Sequence, residues 1–127
     1  MTTQSHEPTK SDFDVHPVPT RWRPMLKDVV KALAEGDYAL SREIPCVRMK
    51  PSAPAQIRSY VADYGERLVE LPDDTWQSSF ALWTGTHCTV TVSLWTAESG
   101  ESDMVLSARV FEDSGDYRFE IGLVYVP

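Results

Sequence analysis

Several things are missing from this sequence, and each absence removes a class of function. No run of eighteen apolar residues occurs, so no helix of the chain is expected to span a bilayer. The two cysteines, Cys46 and Cys88, stand far apart with no Cys-x-x-Cys pair, which argues against a zinc ribbon and a thioredoxin-type redox pair. The six glycines are scattered singly, so no glycine-rich loop is available to cradle a phosphate. The N-terminal run MTTQSHEPTKSDFD lacks the apolar segment of a secretory signal, and the expected compartment is the cytoplasm. In that reducing setting two buried thiols are expected, with a disulfide, which spacing alone leaves open, as the lesser alternative.

What is present reads as one globular domain. A chain of 127 residues has room for one hydrophobic core, and 42% hydrophobic with 24% charged residues is an ordinary globular composition. The net charge of −7 is unevenly spread. Residues 1–24 balance, whereas residues 63–127 set Arg67, Arg109 and Arg118 against twelve carboxylates. A half that acidic repels phosphate backbones, so nucleic acid is not an expected partner. It suits a basic partner, or simply keeps the protein in solution.

Along the chain, residues 1–23 read as a flexible tail interrupted by Pro8, Pro17 and Pro19, with Trp22 positioned to dock on the domain. Residues 24–127 form the single domain. Pro24 suits a first helical turn, Leu26, Val29, Val30 and Leu33 share one face, and Gly36 stops the helix. Residues 37–50 are ambiguous between Pro45 and Pro51. A second helix starts after Ser52, buries Ile57, Tyr60, Val61 and Tyr64, and ends at Gly65. From Trp76 the apolar period becomes two. Strands are expected at about 77–84, 86–95, 104–111 and 117–126. Cys88, Val90, Val92 and Leu94, then Met104, Leu106, Ala108 and Val110, then Tyr117, Phe119, Ile121, Leu123 and Tyr125 point inward. The expected fold is therefore α+β: two N-terminal helices packed on one face of a four-stranded, or slightly larger, antiparallel meander sheet.

The runs Trp83-Thr84-Gly85-Thr86-His87, Leu94-Trp95-Thr96 and Ser102-Asp103-Met104-Val105-Leu106 carry a resemblance, together with the ending from Tyr117 to Pro127. With Tyr64-Gly65-Glu66, Leu71-Pro72 and Thr75-Trp76 upstream, they resemble a family of small uncharacterised bacterial proteins classed as a domain of unknown function. The resemblance covers residues 24–127. It implies a bacterial source and a single domain, and it implies no activity and no catalytic residue.

Constellations for chemistry are sparse. His87 and Cys88 are adjacent, but neighbours in a strand point to opposite faces and do not form a dyad. The histidines are His6, His16 and His87, without metal-ligand spacing, and no metal or other cofactor is expected. Glu112-Asp113-Ser114-Gly115-Asp116 reads as a hairpin turn rather than a calcium loop. A four-residue turn from Glu112 to Gly115 would set Arg109 opposite Arg118 on the outer face, with Glu120 diagonal to Arg109. Glu120 then offsets the facing like charges, or the two guanidiniums hold an anion or a partner's carboxylate beside Thr89, Thr91 and Ser93. Trp95 falls on the same outward set, either as an exposed partner anchor or covered by residues 37–50 or the tail.

The candidate binding residues are therefore Arg109, Arg118, Glu120, Trp95 and Thr91. Two functional classes remain. One is a non-enzymatic binding or interaction protein of the bacterial cytoplasm, antitoxin- or immunity-like, with a protein partner and no membrane. The other is a small-molecule domain, enzymatic or not, with a pocket between helices and sheet lined by Tyr38, Tyr60 and Trp83. The lack of catalytic motifs favours the first, and the oligomeric state is not legible.

Overall fold

The computed structural model describes residues 15–127. The first helix, α1, spans Arg23–Ala34 and buries Leu26, Val29, Val30, Ala32 and Leu33, the face expected from their spacing. Gly36, at φ +87°, takes the left-handed conformation that turns the chain away. The second helix, α2, spans Ala53–Tyr64 and ends on left-handed Gly65. Ser52 occupies the capping position but is itself in a right-handed helical conformation, and its hydroxyl makes no capping bond.

Between the helices lies a strand that alternation did not reveal, β1, Val47–Met49. The remaining strands are β2, Phe80–Trp83, β3, Cys88–Thr96, β4, Gly100–Asp113, and β5, Asp116–Tyr125. They form one sheet in the order β1-β5-β4-β3-β2. β2 to β5 are the expected antiparallel meander, but β1 runs parallel to β5, pairing Val47 with Phe119 and Met49 with Ile121. Two expectations are thereby corrected. The sheet, at five strands slightly larger than four as allowed for, is mixed rather than purely antiparallel, and the helices are not an N-terminal pair, because β1 separates them in the chain. Three residues between Pro45 and Pro51 are too few for a period of two to be read. Cys46 leads into β1 with φ +66°, and its carbonyl accepts the Phe119 N–H at 2.7 Å.

The apolar faces of both helices and the inner faces of β3, β4 and β5 share one core, in which Leu26, Ile57, Val90, Leu94, Met104, Leu106 and Ile121 are fully buried. α2 is fastened to the end of β5 by polar contacts. Gln56 Nε2 donates to the Val124 carbonyl at 2.7 Å, Gln56 Oε1 accepts the Val124 N–H at 3.0 Å, and the Tyr60 hydroxyl accepts the Val126 N–H at 3.0 Å. One side-chain amide thus stands in for a neighbouring strand where β1 has ended.

Two local features reset the expected faces. The β4–β5 hairpin closes through Ser114 and Gly115 alone, at φ +56° and +87°, the backbone of a type I′ turn. Relative to the four-residue turn expected from sequence, the register is displaced by two residues: Arg109 faces Glu120, and Phe111 faces Arg118. Further along, the register shifts between Ser107 and Ala108, where Gly122 is the extra residue of a β-bulge. A Cβ on Gly122 would lie 3.2 Å from the Ser107 carbonyl oxygen, so the close approach suits glycine. The bulge reverses the alternation. Val124 is buried, while Leu123, expected inward with Tyr125, is 39% exposed.

Of the segment 1–23 expected as a tail, residues 1–14 lie outside the described residues. His16 forms an antiparallel bridge with Ala81, on the outer edge of β2. Val18 and Trp22 are buried, and Trp22 packs edge-on to Tyr117 and Phe119 at ring separations of 5.5 and 6.2 Å. Trp22→Ala is therefore expected to cost about 3–5 kcal/mol in urea unfolding. A loss within about 0.5 kcal/mol, the level of a surface substitution, would contradict this packing.

Candidate interaction surface

Because both helices bury their apolar faces against one side of the sheet, no described helix covers the other side. The pleat and the observed register arrange that outer face in cross-strand rows. Arg118 on β5 and Phe111 on β4 form one row, continued by the ring of His87 just before β3. The next row runs from Arg48 on β1 through Glu120, Arg109 and Thr89 to Leu82 on β2. A third holds Leu123, Ser107, Thr91 and Phe80. One end of the face is cationic and aromatic, the other apolar with hydroxyls.

The structure thus brings together four of the five residues proposed from sequence. Arg109, Arg118, Glu120 and Thr91 share this face, with Thr91 nearly buried at 9% exposure. Arg109 Nη1 lies 3.8 Å from Glu120 Oε1, an ion pair beyond hydrogen-bond length on a half-exposed arginine. The Arg118 guanidinium sits over the Phe111 ring, 4.5 Å from its centroid. Trp95 does not join them. It follows a register shift after Ser93 and is half-buried against the core, with an aromatic carbon 3.8 Å from where a Cβ on Gly100 would stand. Its carbonyl accepts the Val69 N–H, so what lies beside its strand is the 66–75 connector, neither residues 37–50 nor the tail.

Sequence reasoning put His87 on the outward face without naming it a candidate, and missed Arg48 and Phe111 as members of this surface. His87 and Phe111 pack with ring centroids 5.0 Å apart, and the Thr86 hydroxyl lies 2.9 Å from His87 Nδ1. Partial burial, then the Arg109 cation, hold the His87 pKa below its ordinary 6.5, while Glu120 opposes the shift. Phe111 and His87 had a legible signal, since alternation puts both on the face of Arg109. Arg48 had none, because it depends on the three-residue β1.

Beside Arg48 the segment Ala39–Met49 encloses an open concavity of about 660 Å³. Leu40 and Cys46, both lining it, hold positive φ, uncommon for side-chain-bearing residues. Tyr38 lies over Arg58 in a separate open crease of about 500 Å³ with Pro54, Ala55 and Ala62. Tyr60 is instead engaged with Val126, and the space between helices and sheet is filled by the core. Among the described residues no three His, Cys, Asp or Glu side chains are grouped to hold a metal.

A small α+β domain with no described helix on one face of its sheet is the class of protein this geometry defines. The family model described as Domain of unknown function (DUF7668) matches residues 30–127, and the chain belongs to that family. No curated protein and no solved structure matches the chain.

Two measurements test the site chemistry. Cys46 is exposed, correcting the expectation of two buried thiols, while burial and then Glu112 push the Cys88 thiol up to about 11. A thiol reagent at neutral pH is expected to modify Cys46 alone in the native protein and both residues after unfolding; rapid native labelling of Cys88 would contradict its burial. His87 binds its proton less tightly folded than unfolded. Its contribution to stability is therefore constant above about 6.5, falls as pH drops from there towards the folded midpoint, and is flat below it. An NMR titration is expected to place the His87 midpoint below 6.5, and His87→Gln to flatten the pH dependence of stability in that window.

Proposed function

We propose that this protein is a non-enzymatic binding protein that meets a protein partner with the outer face of its sheet. The carrying observation is the asymmetry of that face. It gathers Arg48, Arg109, Arg118 and Phe111 towards one end and exposed Leu123 towards the other, on a molecule whose net charge is −7. Aromatic, arginine and apolar side chains displayed together are the composition of interface centres. The filled interior supports this reading over a ligand pocket between helices and sheet. A small acidic domain of this kind fits an antitoxin- or immunity-like protein of a bacterial cytoplasm.

Affinity capture from a lysate of the source organism tests the reading with three baits: the unmodified protein, Arg109→Glu, and Lys31→Glu on the exposed side of α1. Each bait is first shown to melt at a similar temperature. A partner kept by the unmodified protein and Lys31→Glu but lost by Arg109→Glu is the expected result. A partner lost equally from both variants, or none at all, would count against the outer face.

A further inference from the structure

The cationic end of the outer face runs against the charge of the molecule that carries it. Residues 63–127 hold twelve carboxylates against three arginines, yet two of those arginines, Arg109 and Arg118, share one patch. Arg48 joins them from β1. Arg48 and Arg109 flank Glu120 in one row, and Arg118 precedes Glu120 by two residues on the same face of β5. A single carboxylate therefore stands among three guanidiniums. It approaches Arg109 only to 3.8 Å, and among the described residues neither Arg48 nor Arg118 makes an ion pair. The stack of Arg118 on Phe111 occupies the flat face of its guanidinium and restricts its rotamers, while the donating edge stays available.

Resting on the reading of the outer face as an interaction surface, we infer that Arg48, Arg109 and Arg118 form a receptor for an acidic polypeptide segment of the partner, which presents carboxylates to the three guanidiniums. The fork of each guanidinium matches a carboxylate in two-point geometry. Arg48 and Arg109 lie two strands apart, about 9–10 Å at the backbone, so two ligand carboxylates fit more readily than one. Acidic residues at alternate positions of an extended segment, about 6.5–7 Å apart, come within reach of long arginine side chains. Leu123, in the adjoining row, offers an apolar neighbour to such a segment. A nucleic acid is the poorer occupant. Its closely spaced phosphates would meet the −7 charge of the whole chain, and three arginines release few counterions in return.

The probe is a fluorescein-labelled octapeptide alternating Glu and Thr, followed by anisotropy with the full chain at about 50 mM and about 300 mM NaCl. Its controls are the same peptide with Gln for Glu and a labelled oligothymidylate of equal charge. The Glu peptide is expected to bind, the Gln peptide to bind at least about tenfold more weakly, and salt to weaken the former. Arg48→Gln and Arg118→Gln are each expected to weaken it about two- to fivefold, the upper part of the range for exposed charge pairs, with Lys31→Gln unchanged. Arg118→Lys keeps the charge but loses the planar stack, and is expected to recover only part of the loss. Melting curves accompany each variant, so the unaffected variants keep the test decisive if one arginine change unfolds the chain.

No binding, equal binding of the Gln peptide, or equal loss in Lys31→Gln would overturn the inference. Tighter binding of the oligothymidylate would overturn it in favour of a phosphate site. A partner captured through Arg109 that is indifferent to Arg48 and Arg118 would sink the acidic-segment inference alone and leave the interaction reading standing.

Discussion

The pairing of β5 with β4 is the constraint from which most of the molecule follows. A two-residue turn at Ser114 and Gly115 sets the register, and the register decides which side chains meet across the hairpin. With this turn, Glu120 rather than Arg118 lies opposite Arg109, so a like-charge confrontation is replaced by a loose ion pair. The same pairing puts Val110, Ala108 and Leu106 beside Phe119, Ile121 and Val124 on the buried side. β5 is also the strand on which β1 adds and against which α2 fastens, so both later arrangements inherit its position.

Hydroxyls and one carboxylate finish what the ladder leaves undone. β2 starts only at Phe80, so beyond Thr91 the next outer-facing residue of β3, Ser93, pairs with β4 but has no strand on its β2 side. There the Ser79 hydroxyl accepts the Ser93 N–H at 2.9 Å and the Thr75 hydroxyl donates to the Ser93 carbonyl at 2.6 Å. At the far end of β3, Thr96 and Ser99 both donate to Glu66, at 2.7 and 3.0 Å. Buried backbone groups need such partners, which accounts for polar residues where a period of two would ask for pairing strands.

The elements with strong local punctuation were legible in the sequence. Gly36 and Gly65 stop α1 and α2, and the alternation from Cys88 to Leu94 and from Met104 to Val110 assigns both faces of β3 and β4. The parity of the hairpin was also legible, which is why Arg109, Arg118, Glu120 and Thr91 share a face as expected. The length of its turn was not, because Asp-Ser-Gly-Asp is compatible with either loop length. The bulge at Gly122 was hidden too, since Leu123 and Tyr125 continue the apolar alternation through it. β1, and with it Arg48, depends on a long-range partner, Phe119, that no local pattern names.

Both ends of the sheet are blunted, in different ways. On one side the backbone N–H and carbonyl of Ala81 are taken by His16, at 2.7 and 3.0 Å. On the other, the terminal strand is only the three residues of β1, with Pro45 before it and Pro51 after it. A neighbouring molecule that tried to extend the sheet by adding a strand would find few consecutive free groups at either margin. Open-ended stacking of copies into fibres loses its simplest template, and association is directed to faces and side chains instead.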